Sequence, residues 1–595
     1  MRSPHPRDRR RLIDAALQRI PCDLCINNTR FVNMYTGEIY AAAVDILDGL
    51  VVRVREPGEA AELPAKEEFD GGGMYLVPGF IDTHMHVEST MMIPENFGRA
   101  VVPWGTTTVC TDPHEIGNVM GIPGVEFMLE NGKRSALRQY ALAPSCVPSV
   151  PGLEGAGAVF GAKEVAALLD KPDVVGIAEI MDFVGVIGGT ERMNSIIAEG
   201  LRRNLFLQGH APGCTGKELT AYRLGGPVSD HEGTSAAGAR ERLRMGIHVN
   251  LRASSITDNL DKLVEGFRDH PWRDLVSICT DDVHAQDLLS RGHINAVVKR
   301  VIQAGINPVE AYKFATINAA REYGFDDLGV IAPGCIADIQ LLRELDGGRP
   351  EVVFIDGKLV AREGRYLPSE PCRTLDLANT VNVSCIKSPE DFLLRAPAGA
   401  GKTALVRCMV PLARNSTRHT SEWVELPVVD GCISLEGVPG DYQFIAVVNR
   451  YGANNKTVAV LKDFSLKKGA FGSTISHDCH NLSVVYKDIR DAYAAVRELE
   501  RVGGGITVTD QGAPVRTLAL PVGGLMSPLP CAELSAEIDA MYPVVRRYCS
   551  PGTSLLATAI LSLSVAPGTI ITDRGLLDGL SQTFLDIVKP VTGGC

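Results

Sequence analysis

"LVPGFIDTHMHVEST", residues 76–90, stands where the character of the chain changes. Before it, residues 22–77 run as short β-like stretches broken by turns, "CDLCINNTRFVNMYTGEIY" and "AAAVDILDGLVVRVRE". After it, from 78 to 335, short apolar runs alternate with helix-length segments. The runs are "TTTVCTD", "ALAPSCVPS", "VVGIAEIMD", "LFLQGHAPG", "GPVSDHEGT", "IHVNLRASS" and "LVSICTDDVHA". Seven or eight strand–helix units in this order predict a (β/α)8 TIM-like barrel. Polar residues gather at the ends of the runs, and the C-terminal strand ends are where such a barrel builds its site.

The same alternation of patterns assigns the regions outside the barrel. Residues 336–366, "IADIQLLRELDGGRPEVVFIDGKLVAREGRY", return to alternating β character with a D-G turn. They are expected to complete the sheet begun by 22–77, giving a small β-sandwich domain from both flanks of the barrel, 22–77 and 336–380. Residues 1–21 form a basic extension without the apolar core of a signal peptide. Residues 385–595 mix strands and helices and read as a separate α/β domain. The apolar stretch 554–568, "SLLATAILSLSVAPG", is shorter than a membrane span requires and reads as a buried helix or strand.

Composition narrows the class. A chain of 595 residues is too long for one core. A net charge of −12 argues against partners such as nucleic acid or an anionic membrane, since a phosphate-tracking surface needs a basic excess. The 15 scattered cysteines read as reduced thiols of a cytoplasmic protein.

His84 and His86 are alternate residues of one strand and share a face. By themselves they fit either a metal or two satisfied histidines. Other ligand types recur at later strand ends: Glu179, His210, His231 and Asp281. In a chain with 13 histidines this recurrence favours a metal centre. Four imidazoles and two carboxylates suit two divalent ions bridged by a carboxylate. Ions about 3.5–4 Å apart can hold a hydroxide at neutral pH that attacks an electrophilic carbon. An adjacent aspartate can take the proton and pass it to the leaving group.

These motifs resemble the amidohydrolase superfamily, and within it the adenine deaminase family. The resemblance rests on "PGFIDTHMHVEST", "GTTTVCTDPHEIGNVMG", "GIAEIMDFVGVI", "GHAPG", "SDHE" and the sheet segment "GCIADIQLL". It continues in "LKKGAFGSTISHDCHNLSVV", "VGGGITVTDQG", "LPVGGLMS" and "ITDRGL", and covers nearly the whole chain beyond residue 22. It implies hydrolysis of the 6-amino group of adenine to hypoxanthine and ammonia, in purine salvage. It implies His84, His86, Glu179, His210, His231 and Asp281 as ligands of two divalent ions, Mn or Fe, with Zn possible. Glu179 stands where many relatives use a carboxylated lysine, and Asp281 is taken as ligand and proton shuttle. Glu88, Asp112, His114, Glu115, Arg252, Asp282, His477, Asp478, His480 and Asn481 are candidates for binding the purine or supporting the ligands. "TDPHE" could also bind a further ion. A purine base is the expected small-molecule partner, and a homo-oligomer, a dimer by preference, is the expected state.

Two departures bear on substrate choice. Ala253 in "LRASS" follows Arg252 where the family has a glutamate, and "NRYGANN" (Asn449, Arg450, Tyr451) replaces a basic-histidine-glycine turn. They leave open another aminopurine, and a cyclic amide is the alternative within hydrolases. From a different class, "APAGAGKTAL" (396–405) matches a relaxed phosphate-binding loop. That loop needs a strand before it and a helix after it. Here a helix-like acidic piece precedes, a proline interrupts "VRCMVPLARN" after it, and Ala396 replaces the first glycine, so a linker turn is the better reading.

Overall fold

The computed structural model describes residues 8–59, 61–255, 258–369, 375, 378–412 and 418–591. The start of the expected extension (1–7), residues 370–374, 376 and 377 near the end of the expected sandwich domain, and the last four residues lie outside the described residues. The chain divides into two compact units. One holds residues 1–113, 127–143 and 161–374; the other holds 114–126, 144–160 and 375–595.

Among the described residues, eight parallel strands follow one another through the first unit. They are β1 (Phe80–Met85), β2 (Thr106–Thr111), β3 (Arg138–Ala143), β4 (Val174–Ile180), β5 (Phe206–Gly209), β6 (Ser229–Asp230), β7 (His248–Arg252) and β8 (Val276–Cys279). Strands β1 to β5 pair in sequence order, and so do β6 to β8. Among the described residues the two arrays do not share a continuous ladder. They meet at both edges: Val228 N donates to Leu207 O at 3.0 Å, Thr83 Oγ1 donates to Ile278 O at 2.9 Å, and Met85 forms an isolated parallel bridge with Asp281. Each residue of β1, β2 and β4 is buried. Burial on both faces selects near-continuous apolar and β-branched runs over simple alternation. Helices cover the outside. Helix Ile294–Gln303 buries Ile294, Val297, Val298 and Val301, one stripe at 3.6-residue spacing, against Val249, Leu251, Val276 and Ile278.

Both flanks of this array join in one nine-stranded sheet. The junction is Tyr75–Pro78, which pairs in parallel with Leu24–Val32 and antiparallel with Ile339–Leu342. The expected sandwich is therefore strung on a single pairing path, because Tyr75–Pro78 uses both its edges. The D-G turn joins Val352–Ile355 to Lys358–Arg362. Asp356 and Gly357 have φ of +50° and +69°, the left-handed pair that a tight two-residue hairpin requires. Cys22 and Cys25, a C-x-x-C spacing that runs into the first strand of this sheet, are free thiols that burial pushes up to about 11 and about 12. Neither is a reactive thiolate near neutral pH.

The second unit is built on a ten-stranded sheet, with helices Ile489–Val502 and Cys531–Tyr548. Buried Ala492, Ala495, Val496 and Leu499 pack the first helix onto Val484 and Tyr486. In the phosphate-loop lookalike, Lys402 is exposed and Thr403–Pro411 is a strand, so no helix comes next to receive a phosphate. Residues 554–568 are mostly turns around a short 3-10 segment, Ala559–Leu561, and not the regular helix or strand expected. No helix of the described residues is long and apolar enough to cross a membrane.

Candidate metal centre

The strand ends of the first unit bring all six expected ligands together. His84 ends β1 and His86 comes just after it; Glu179 lies on β4, His210 and His231 come after β5 and β6, and Asp281 after β8. His84 and His86 place Nε2 3.3 Å from the same oxygen, Asp281 Oδ1. His86 Nε2 is 3.5 Å from Glu179 Oε1, and His231 Nε2 is 3.2 Å from Glu179 Oε2. His210 Nδ1 donates to Glu179 Oε2 at 2.5 Å. The His84 and His231 rings stack at 4.1 Å. Glu179 thus lies between His86 on one side and His210 and His231 on the other, while Asp281 faces the β1 pair.

The backbone fixes this arrangement. Asp281 has φ +58°, a left-handed conformation uncommon for aspartate. It is held there because its N–H donates to His84 O at 3.0 Å and its carbonyl accepts from His86 N at 3.2 Å. His86 Nδ1 lies 3.0 Å from the Asp112 carbonyl. A carbonyl only accepts, so Nδ1 carries the ring proton and the Nε2 lone pair faces the carboxylates. Behind β1, Asp82 accepts from Thr280 Oγ1 at 2.5 Å and from the His84 N–H at 3.2 Å. The adjacent strands β7 and β8 are tied to each other and to helix Ile317–Glu322: Asn250 Nδ2 donates to Ser277 Oγ at 2.7 Å and to Glu322 Oε1 at 2.8 Å.

The donor set fits divalent ions. His84 and His231 are buried, and neither ring nitrogen of either makes a hydrogen bond among the described residues, although both Nε2 atoms face carboxylates. Buried polar atoms are nearly always hydrogen-bonded, and ligand atoms aimed at a shared ion are the usual exception. His84, His231 and Asp281 offer ligand atoms within 4.8 Å of one another, and so do Glu179, His210 and His231. Burial by itself would raise the Asp281 and Glu179 carboxyls. The Arg252 cation for Asp281, and His210 for Glu179, outweigh it and hold both well below the ordinary range. His210 is raised to about 9, burial opposing and Glu179 prevailing.

The other candidates separate into two groups. Arg252 Nη1 donates to Asp281 Oδ2 at 2.7 Å and also to the Glu232 carboxylate. Asp282 accepts from Ser89 Oγ at 2.5 Å. Glu88 is buried in the turn Val87–Thr90, and Asp112 is buried just after β2. Ala253 makes an isolated bridge with Asp258. His114 and Glu115 belong to the second unit, with His477, Asp478, His480 and Asn481. There Asn481 Nδ2 donates to Gly155 O at 2.7 Å, a bond internal to that unit. Asn449 donates to Asp573 at 3.0 Å and the fully buried Arg450 to Gly523 O at 2.9 Å, so "NRY" is structural text of the second unit. Sequence reading passed over Glu232 and Ser89. Glu232 was in view in "SDHE", but its partner lies 20 positions away.

Comparison with known proteins gives this geometry a class. Residues 75–360, which hold the parallel array and the six expected ligands, match the model of the amidohydrolase family. Residues 416–583 match the adenine deaminase C-terminal domain. The chain is 38% identical over 590 residues to an adenine deaminase of Moorella thermoacetica, covering 97% of this chain and 98% of that protein. It is 38% identical over 575 residues to adenine deaminase 2 of Carboxydothermus hydrogenoformans, covering 95% and 97%. This chain belongs to the adenine deaminase family. Among solved structures, a beta-aspartyl dipeptidase of Fervidobacterium islandicum AW-1 aligns over 58% of this chain and 98% of that one, at 18% identity and a TM-score of 0.45.

Proposed function

We propose that this chain is a hydrolase that converts adenine to hypoxanthine and ammonia, using two divalent ions held by His84, His86, Glu179, His210, His231 and Asp281. The observation that carries the reading is the convergence of these four imidazoles and two carboxylates in a chain 38% identical to an adenine deaminase over 97% of its length. Divalent ions bound there supply a water activated for attack near neutral pH. Asp281 holds one carboxylate oxygen toward the histidines and the other on Arg252, so Oδ1 is the atom placed to carry a proton from the water to the departing amine. Arg252 keeps that carboxylate ionised and oriented. Glu179 joins the two halves of the ligand set by contacting three of the four imidazoles. Imidazole and carboxylate donors suit Mn, Fe and Zn, and we favour Mn or Fe. We propose too that the two parallel arrays close into a (β/α)8 barrel spanning 78–335; the Val228–Leu207 and Met85–Asp281 contacts support closure.

The test is ammonia release by the purified chain after chelation and after reloading with Mn or Fe. Adenine is assayed beside other aminopurines and cyclic amides. Adenine turnover that vanishes on chelation and returns with metal is expected. Asp281→Asn should lower kcat by about 10²–10⁴-fold with little change in KM. Ring opening of a cyclic amide faster than adenine deamination would overturn the reading.

A further inference from the structure

The second unit holds another set of ligand-type side chains that shares no residue with the six in the first. Glu115 opens helix His114–Met120. His477 and His480 lie on the loop between strands Ala470–Ser473 and Leu482–Tyr486. Glu115 and His480 are 365 positions apart, yet they touch: His480 Nε2 meets Glu115 Oε2, and His477 Nδ1 lies 2.7 Å from Glu115 Oε1. The three offer ligand atoms within 4.8 Å of one another. Glu115 is 2% exposed and His480 1%, while the His477 side chain keeps a 13% opening. Two more donors stand just outside, since His114 Nε2 is 3.7 Å from both Glu115 Oε1 and Asp478 Oδ1.

We propose that Glu115, His477 and His480 form a third metal site, mononuclear and lodged in the second unit, for a divalent first-row transition ion. Two imidazoles and one carboxylate are the donor set of mononuclear zinc and non-haem iron sites. Three of the chain's 13 histidines, His114, His477 and His480, gather around two buried carboxylates here. The loop is pinned from outside: Ser149 Oγ donates to Asp478, Tyr451 OH donates to the Cys479 carbonyl, and His480 N donates to Ser476 O at 2.6 Å. The side chains are thus placed before any ion arrives, which lowers the ordering cost of binding.

The tautomers set the class of ion. Ser476 N donates to His480 Nδ1 at 3.1 Å, so the ring proton sits on Nε2 and is given to Glu115. An ion taken up at Nε2 requires that proton to move to Nδ1, at the loss of the Ser476 bond. Magnesium and calcium bind imidazole too weakly to offset that loss, whereas zinc, iron and cobalt bind it well.

The test is stoichiometric and needs no assay of turnover. The full chain is stripped with chelator, reloaded with excess Zn(II) or Co(II), desalted and measured by mass spectrometry of the metals. Glu115→Gln, His477→Ala and His480→Ala should each hold one ion fewer per chain than the unaltered protein, whatever the first unit binds. His84→Ala should keep the ion at Glu115, read as the visible absorption of Co(II) lost on adding Glu115→Gln. Excess Mg(II) or Ca(II) added to the Co(II)-loaded chain should leave that signal in place, and its loss to either ion would overturn the assignment to a transition ion. Equal metal content in the unaltered chain and in Glu115→Gln, with no Co(II) band assigned to it, overturns the site and leaves a carboxylate that only accepts two ring N–H bonds. Should the alanine variants fail to fold, the comparison with the near-isosteric Glu115→Gln decides alone.

Discussion

Replacing Arg252 by leucine tests the electrostatics on which the candidate centre depends. Its guanidinium donates to Asp281 at 2.7 Å and to Glu232, and its side chain is only 7% exposed. Arg252→Leu leaves the buried Asp281 carboxylate and the part-buried Glu232 carboxylate without the cation they share. Hydrogen bonds to charged groups contribute about 1.5–3 kcal/mol each, so losing both costs about 3–6 kcal/mol. Removing one partner of a buried ion pair costs about 3–5 kcal/mol, inside the same range. In the metal-free chain the loss should therefore be about 3–5 kcal/mol. With divalent ions loaded, Asp281 has a second neutraliser and only the Glu232 half of the loss remains, about 1.5–3 kcal/mol. Urea unfolding of the variant and the parent, each with chelator and with Mn, measures both figures. Turnover should also fall, by about 10²-fold, since an Asp281 carboxylate no longer held can shift by about 1 Å. Arg252→Lys should recover part of the stability, because one ammonium cannot span two carboxylates as a planar fork does. A leucine variant as stable as the parent without metal, and as fast with it, would refute the argument.

Other expectations are as specific. Gly209→Ala would set a Cβ 2.0 Å from the Ser229 carbonyl, prising β5 from β6 beside His210; metal content and turnover should both fall, and an alanine variant with normal metal content would contradict the packing. Phe267 is fully buried and meets Phe314 edge to face with centroids 6.1 Å apart, so Phe267→Ala should cost about 3–5 kcal/mol in urea unfolding. Burial pushes His419 down to about 4, against about 6.5 in an unfolded chain. Between these values the unfolded state binds the extra proton, so this group's stabilisation is complete above pH about 6.5 and is lost as pH falls through about 4, at up to ~1.4 kcal/mol per unit. His419→Gln should flatten that part of the stability–pH curve by one proton, and an unchanged slope would count against it.

The sequence made the ligand set legible because each member obeys a local rule. His84 and His86 share a face through the two-residue period of a strand, and His210, His231 and Asp281 each end an apolar run. The supports of these ligands were not legible, because they depend on contacts across sequence. Glu232 reaches Arg252 over 20 positions, and no periodicity marks the pair. The φ of +58° at Asp281 is imposed by its bonds to His84 and His86, which no propensity of aspartate foretells. Alternation predicted strands on both flanks of the parallel array, but it could not show that Tyr75–Pro78 pairs on both edges and so strings them into one sheet. "DPHE" and "SHDCHN" each stood out as polar text. That Glu115 lies between two histidines of the second motif is a fact of tertiary structure alone.

The second unit takes two short passages, 114–126 and 144–160, from the middle of the first. They are tied to late residues: Gly155 N donates to Asp573 at 2.8 Å, Ser564 Oγ to Glu154 at 2.7 Å, and Thr572 Oγ1 to Leu153 O at 2.8 Å. A ribosome delivers those passages hundreds of codons before the partners that shelter them. During that interval buried side chains such as Ile116, Val119 and Leu153 lack the neighbours the finished unit gives them and are open to chaperones and proteases. A nascent chain halted near residue 374 should therefore be cleaved preferentially within 114–126 and 144–160, and cutting the gene between the units would not yield two independent proteins.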